Sequence, residues 1–241
     1  MIPKIIHYCW FGRGTKGQLE QNCIEGWKAK LPDYTFMEWN EENFDINQFS
    51  FARDAYHAKK FAFVSDVCRL HALREYGGIY LDTDVQVLRS FSDLLNGDKF
   101  IMGMEDDFVV SSACILSSPN HPILNKLLDF YQNAAFKGEV FGKEGLLPNT
   151  HVISEILKQE YGLRLHRHFT YSDEAVTIYP VDYFSPKNYA DKRITLTVNS
   201  YCVHLFNGSW ISKSTKFKEF ILRNTPPFFY GLYKKLKHGE Q

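Results

Sequence analysis

The sequence predicts an α/β layered domain with a mainly parallel central sheet. Three observations carry this reading. Strand-like and helix-like patterns alternate through the first half of the chain, the signature of β-α-β units. At 44% hydrophobic and 23% charged over 241 residues, the chain is long and apolar enough for one large core. No internal repeat, low-complexity tract or Pro/Ser-rich linker divides it, so residues 1–224 are expected as one domain.

The elements follow in order. "KIIHYCW" (4–10) has the apolar run of a buried first strand, closed by Gly12 and Gly14. Residues 16–31 place Leu19, Cys23, Ile24 and Trp27 at helical spacing before Pro32. "YTFMEW" (34–39) alternates like a strand. In 60–76, Phe61, Val64, Cys68 and Ala72 form one helical stripe, stopped by Gly77-Gly78. "IYLDTDVQVL" (79–88) reads as one strand, and 99–105 and 109–117 as two more. Helices are expected over 121–136 and from Asn149-Thr150 to Tyr161, with Asn149 or Thr150 as a cap. Residues 163–184 mix short strands and loops, and 193–206 is a late strand region.

Several function classes are disfavoured. The 28 basic and 28 acidic residues cancel, with a pI near 7.1, so no nucleic-acid partner is expected. The five cysteines are odd in number and form no C-x-x-C pair, which argues against a disulfide framework or a structural zinc. The N-terminus lacks the pattern of a signal peptide, and no apolar run approaches the roughly 20 residues that span a bilayer. A cytoplasmic location is the expectation. The tail 225–241 differs: Phe228, Phe229, Tyr230, Leu232 and Tyr233 precede Lys234, Lys235 and Lys237. Such a segment either packs as a terminal helix or makes peripheral contact with an anionic membrane.

The chemistry concentrates in "GGIYLDTDVQVL". Period-two alternation along one strand would put Tyr80, Asp82 and Asp84 on one face, opposite Ile79, Leu81, Val85 and Val87. Two carboxylates so placed lie roughly 6–7 Å apart, and a divalent cation would offset their repulsion. The plainer reading is a turn in which both residues merely cap the chain. Upstream, Asp66 and Arg69 stand at i and i+3 in a mostly apolar helix, so a buried pair is expected there.

Together, "IPKIIHYCWFG" (2–12), "FAFVSDVCRLHALREYGGIYLDTDVQVL" (61–88), "SSPNHPIL" (117–124) and "VHLFNGSW" (203–210) resemble the DXD-containing sugar-transferase family known as glycosyltransferase family 32. Yeast-type mannosyltransferases and bacterial capsule and lipopolysaccharide enzymes belong to it, and the glucosyltransferase domain of large clostridial toxins is more distantly similar. The resemblance implies a Rossmann-like GT-A fold, a nucleotide-sugar donor, a divalent cation and retention of anomeric configuration. By position, Trp10 would stack on the donor base. Asp66 and Arg69 would hold ribose, sugar and phosphate, with Tyr80 beside the nucleotide. Asp84 would be the direct metal ligand, while Asp82 would bind sugar and a metal-bound water. Asp82, Asp84 and Arg69 are thus the expected catalytic group. His204, Ser209 and Trp210 would complete the metal and diphosphate site, and Asn149 would face the sugar. An imidazole suits Mn²⁺ better than Mg²⁺.

The acidic run Glu105-Asp106-Asp107, which follows a strand, is expected to touch the sugar or acceptor. A retaining enzyme needs no general base; Asp106 or Asp107 would be the candidates for one. The expected function is transfer of a hexose or N-acetylhexosamine from a UDP-sugar, or from GDP-mannose, to a glycan or lipid-linked oligosaccharide, in bacterial surface polysaccharide synthesis. Two other classes remain open: an inactive nucleotide-sugar-binding protein, and a metal-dependent phosphohydrolase.

Overall fold

In the computed structural model, the described residues are 1–207 apart from 98, 138, 141, 142, 145–147 and 190, with backbone alone for 139, 140, 143 and 144. The tail 225–241 lies outside them. Along the chain come β1 (Ile5–Cys9), α1 (Gln18–Lys30), β2 (Thr35–Trp39), α2 (Ser50–His57), α3 (Phe61–Tyr76), β3 (Gly78–Leu81) and β4 (Val85–Val87). Then follow β5 (Phe100–Met104), β6 (Val110–Ser117), α4 (Pro122–Asn133), the short β7 (Glu139–Val140) and β8 (Lys143–Glu144), and α5 (Asn149–Tyr161). The series closes with β9 (Tyr171–Ser172), β10 (Val176–Tyr179), α6 (Val181–Phe184) and β11 (Cys202–His204). Met1–Phe206 form one compact unit.

The central sheet has seven strands in the order β2-β1-β3-β6-β5-β10-β9. The β1/β2, β1/β3 and β5/β10 pairs are parallel, and β3/β6, β5/β6 and β9/β10 are antiparallel. Five of the seven strands therefore run the same way, with β6 and β9 reversed. Both faces are covered. One core packs Tyr80, Met102 and Ile115 under α3, α4 and α5; the other packs Ile6, Ile79 and Leu81 under Trp27 of α1. Double coverage explains why all four residues of β3 are buried.

The Gly-Gly stop has a steric cause. Gly77 and Gly78 take φ of 63° and 105°, and a Cβ at Gly78 would lie 2.5 Å from the Ile5 carbonyl oxygen. Three sequence expectations are corrected. The run 79–88 is not one strand: the chain turns at Asp82-Thr83-Asp84, with Val85 N donating to Asp82 O at 2.9 Å, and β4 leaves the central sheet to pair with β11. Neither Asn149 nor Thr150 caps α5, whose N-cap is Pro148. In 193–206 only β11 forms a strand; Ile194, Leu196 and Val198 are exposed, so their alternation packs on nothing. The sequence reading also missed α2, which is a helix of only 8 residues whose buried Phe51, Ala52 and Ala55 make a short stripe.

His7 ties three elements together. Its Nδ1 accepts from Trp39 Nε1 at 3.1 Å, so Nε2 carries the proton and donates to Gly77 O at 2.8 Å. Burial holds its pKa down at about 4, against the pull of the Gly77 carbonyl. The unfolded chain therefore binds one more proton between pH 4 and 6.5, so stability present above 6.5 is lost as pH falls toward 4, by about 3 kcal/mol. His7→Gln keeps one donor and one acceptor but does not titrate. Urea midpoints measured across this window should fall less steeply in the variant, by about one proton; equal slopes would refute the assignment.

Candidate active site

The site gathers where the parallel strands end. Asp82 N makes a last rung to Ala113 O on β6 at 2.9 Å, and the turn then presents Asp82 and Asp84 beyond the sheet. Because β4 pairs antiparallel with β11, His204 lies opposite Val85, and Leu205 N donates to Asp84 O at 3.0 Å. A residue about 120 positions downstream thus comes beside the acidic turn. His204 Nε2 lies 3.4 Å from Asp84 Oδ1. Burial disfavours the imidazolium, but Asp84, Asp82 and Glu105 together raise the His204 pKa above its ordinary value. Phe206 packs on the imidazole, ring centres 4.0 Å apart.

Behind the turn sits Arg69, 4% exposed. Its Nη2 pairs with Asp66 Oδ1 at 2.9 Å and its Nη1 with Asp82 Oδ1 at 3.2 Å. Nη1 also donates to Ser112 O at 2.7 Å, and Nε to Ser65 O at 3.2 Å. The guanidinium lies 4.4 Å from the Tyr80 ring centre. Tyr80 OH donates to the same Asp82 Oδ1 at 2.8 Å. Asp82 Oδ1 is therefore saturated from behind, and Oδ2 is the oxygen left for a ligand. Burial works against the Arg69 charge, yet Asp82, Tyr80 and Asp66 hold its pKa above the usual range. Burial pushes Asp66 up to about 6, opposed by Arg69 and reinforced by the charge on Asp82.

These contacts give several of the expected residues a structural role. The buried Arg69 directs donors to Ser65, Ser112, Asp66 and Asp82, so it positions the two carboxylates. Asn149 is 2% exposed; its Oδ1 accepts from Tyr131 OH at 3.1 Å and its Nδ2 donates to Asp66 O at 3.5 Å, a brace for Asp66 in place of a sugar contact. Trp10 continues from the end of β1, which pairs with β3, and its Nε1 donates to Gly14 O at 2.6 Å. The Lys16 ammonium lies 5.6 Å from its ring centre and pairs with Glu38 at 2.7 Å. Ser209 and Trp210 lie outside the described residues. Asp106 Oδ1 caps its own turn, and Asp107 Oδ1 lies 3.7 Å from Arg167 Nε. Glu105, read from the sequence together with its two neighbours as a contact to sugar or acceptor, is the member of that trio coupled electrostatically to Asp82 and His204, and burial raises its pKa. Its position at the end of a predicted strand was the available signal.

Asp82, Asp84 and His204 each offer one ligand atom, all within 4.8 Å of one another. Two carboxylates and one imidazole make a donor set for a divalent cation, and His204 Nδ1 is buried without a hydrogen-bond partner. The residues present therefore suit a divalent cation.

Comparison with known proteins agrees with this geometry. Residues 17–101, which include Asp66, Arg69, Tyr80, Asp82 and Asp84, match the family described as "Glycosyltransferase sugar-binding region containing DXD motif". Inositol phosphoceramide mannosyltransferase 1 of Schizosaccharomyces pombe is 25% identical over 130 residues, covering 51% of this chain and 40% of the relative. Lactosylceramide 4-alpha-galactosyltransferase of Mus musculus is 26% identical over 171 residues, covering 66% of this chain and 45% of the relative. The chain thus spans less than half the length of these relatives. The solved structure of PaToxG glycosyltransferase shares the fold, with a TM-score of 0.55 at 23% identity over 67% of this chain and 70% of that chain.

Removing Arg69 tests its place between two carboxylates. Arg69→Met should destabilise the fold by about 3–5 kcal/mol, read as a lower urea midpoint, because two carboxylates lose their cation. The double variant Asp66→Asn with Arg69→Met should recover part of that loss; strict additivity would show that the two do not act together.

Proposed function

We propose that this chain, whose residues 17–101 carry the DXD-containing sugar-binding region of glycosyltransferases, is a metal-dependent retaining glycosyltransferase. It would move a hexose from a nucleotide sugar to a glycan or lipid-linked acceptor. The carrying observation is the acidic turn: Asp82 and Asp84 converge with His204 at the carboxyl edge of the sheet, fixed from behind by Arg69 and Tyr80. UDP-hexose is the favoured donor and GDP-mannose the competitor. Relatives named for mannosyl and galactosyl transfer favour a hexose over an N-acetylhexosamine. Surface polysaccharide or glycolipid assembly, with the acceptor at the inner face of a membrane, is the setting that the aromatic and basic tail supports. No helix among the described residues is long and apolar enough to cross a membrane.

In this reading, Asp82, Asp84 and His204 hold the cation. A bound Mn²⁺ would offset the charge that develops on the diphosphate as the glycosidic bond breaks. The protein's own contribution is preorganisation. Arg69 and Tyr80 lock Asp82 Oδ1, so Oδ2 keeps one direction toward sugar or metal-bound water. The Leu205 amide fixes the Asp84 backbone, and Phe206 limits rotation of the His204 ring. Trp10, held through its indole N–H, offers an aromatic surface at the neighbouring strand end for the base. A front-face substitution with retention needs no base from the protein: the leaving phosphate oxygen itself would take the acceptor proton.

A thermal-shift screen of nucleotide sugars with Mn²⁺ should give stabilisation by one donor class, and that class identifies the base. With that donor, Asp84→Asn should lower metal-dependent cleavage by about 100-fold or more while leaving the unfolding midpoint within a few degrees. Full activity in this variant, or in EDTA, would sink the metal assignment.

A further inference from the structure

Two loops meet at the carboxyl edge of the sheet, outside the acidic turn. The first is the turn 105–109. Glu105 N and Asp106 N donate to Val109 O at 2.9 and 3.5 Å, and Asp106 Oδ1 accepts from Phe108 N and Val109 N at 2.7 and 3.0 Å. The second loop is 166–169. Val181 N donates to Arg167 O at 3.0 Å, Phe169 N to His166 O at 3.3 Å, and His168 N to His166 Nδ1 at 3.2 Å. An ion pair joins them, Arg167 Nε to Asp107 Oδ1 at 3.7 Å. Arg167 Nε is buried yet lies within hydrogen-bond reach of no partner.

Both loops hold a phenyl ring in water. Phe108 is 72% exposed and Phe169 is 69% exposed, the latter beside His166 with ring centres 4.7 Å apart. Exposure forfeits about 1.5–3 kcal/mol of burial for each ring. A single exposed apolar residue needs no explanation. Two of them on loops joined by an ion pair, one with an imidazole beside it, put aromatic, cationic and acidic groups in one region.

That chemistry suits a sugar ring. Phenyl faces stack on the C–H faces of a pyranose, while guanidinium, imidazole and carboxylate groups meet its hydroxyls. An anionic bilayer would be repelled by Asp106 and Asp107. The first loop also lies one strand from the acidic turn: Glu105 follows Met104 at the end of β5, Met104 pairs with Val110 of β6, and β6 accepts the Asp82 amide at Ala113 O. We infer that loops 105–109 and 166–169 form the acceptor subsite, a platform for the sugar ring that receives the transferred glycosyl group. Phe108 and Phe169 are its stacking faces, Arg167 its hydroxyl donor, and Glu105 the group beside the reacting hydroxyl. This inference rests on the glycosyl-transfer reading above.

The test reads binding without turnover. Saturation-transfer NMR is run on the full chain with methyl glycosides of glucose, galactose, mannose and N-acetylglucosamine, with Mn²⁺ and UDP or GDP present. Wild type should transfer saturation to the ring C–H protons of at least one glycoside. Phe108→Ser with Phe169→Ser, at surface positions that leave the core intact, should weaken that binding about tenfold. Equal transfer in both proteins, or none with any glycoside, overturns the platform. So does loss in the variant of vesicle binding, to phosphatidylglycerol liposomes, without any glycoside signal. Donor cleavage by water is measured separately; its failure would count against the glycosyltransferase reading, whereas the glycoside signal bears on the platform alone.

Discussion

The site depends on one buried cation. Arg69 lies between Asp66 on its own helix and Asp82 at the end of β3, with the Tyr80 ring against its plane. Without it, two carboxylates within a low-dielectric interior would repel each other and protonate or unfold the turn. With it, helix α3, strand β3 and strand β6 are pinned together, since Nη1 also reaches Ser112 O. The same contact that braces the sheet aims Asp82. Stability and preorganisation are here one set of bonds, so Asp82 is held in place in the absence of a ligand.

The second constraint is the departure of β4 from the central sheet. A continuous strand through Asp82 and Asp84 would have kept both carboxylates on one flat face. Turning there, and pairing with β11, brings in His204 and ties Asp84 to Leu205. The cost is a short interruption of the ladder, met by the bond from Val85 N to Asp82 O. Two carboxylates and an imidazole then converge from two segments far apart in sequence, which is how an α/β sheet builds a ligand site outside its strand ends.

Much of the scaffold was legible in the sequence because it is periodic. The helical stripe through Val64, Cys68 and Ala72, the Gly77-Gly78 stop and the apolar run of β1 each state a local rule that tertiary packing did not override. Three misreadings have separate physical causes. Alternation in 193–206 mimics a strand, but Ile194, Leu196 and Val198 find no facing layer. Helix α2 is too short for its stripe to stand out. The run 79–88 is apolar on both sides of its acidic turn because β3 and β4 are both buried, in different sheets.

By itself the sequence determined the layered α/β class, the helix carrying Asp66 and Arg69, and the acidic pair at the end of an apolar strand. These follow from local spacing, which a chain displays before it folds. Only the tertiary structure decided what each charged group does. Arg69 became an internal brace, Asn149 a strut under Asp66, Asp106 the holder of a turn and Asp107 a partner of Arg167, while Glu105 is coupled electrostatically to Asp82 and His204. The reason is that a donor or acceptor has finite capacity, and which partners consume it depends on long-range contacts that no sequence spacing encodes.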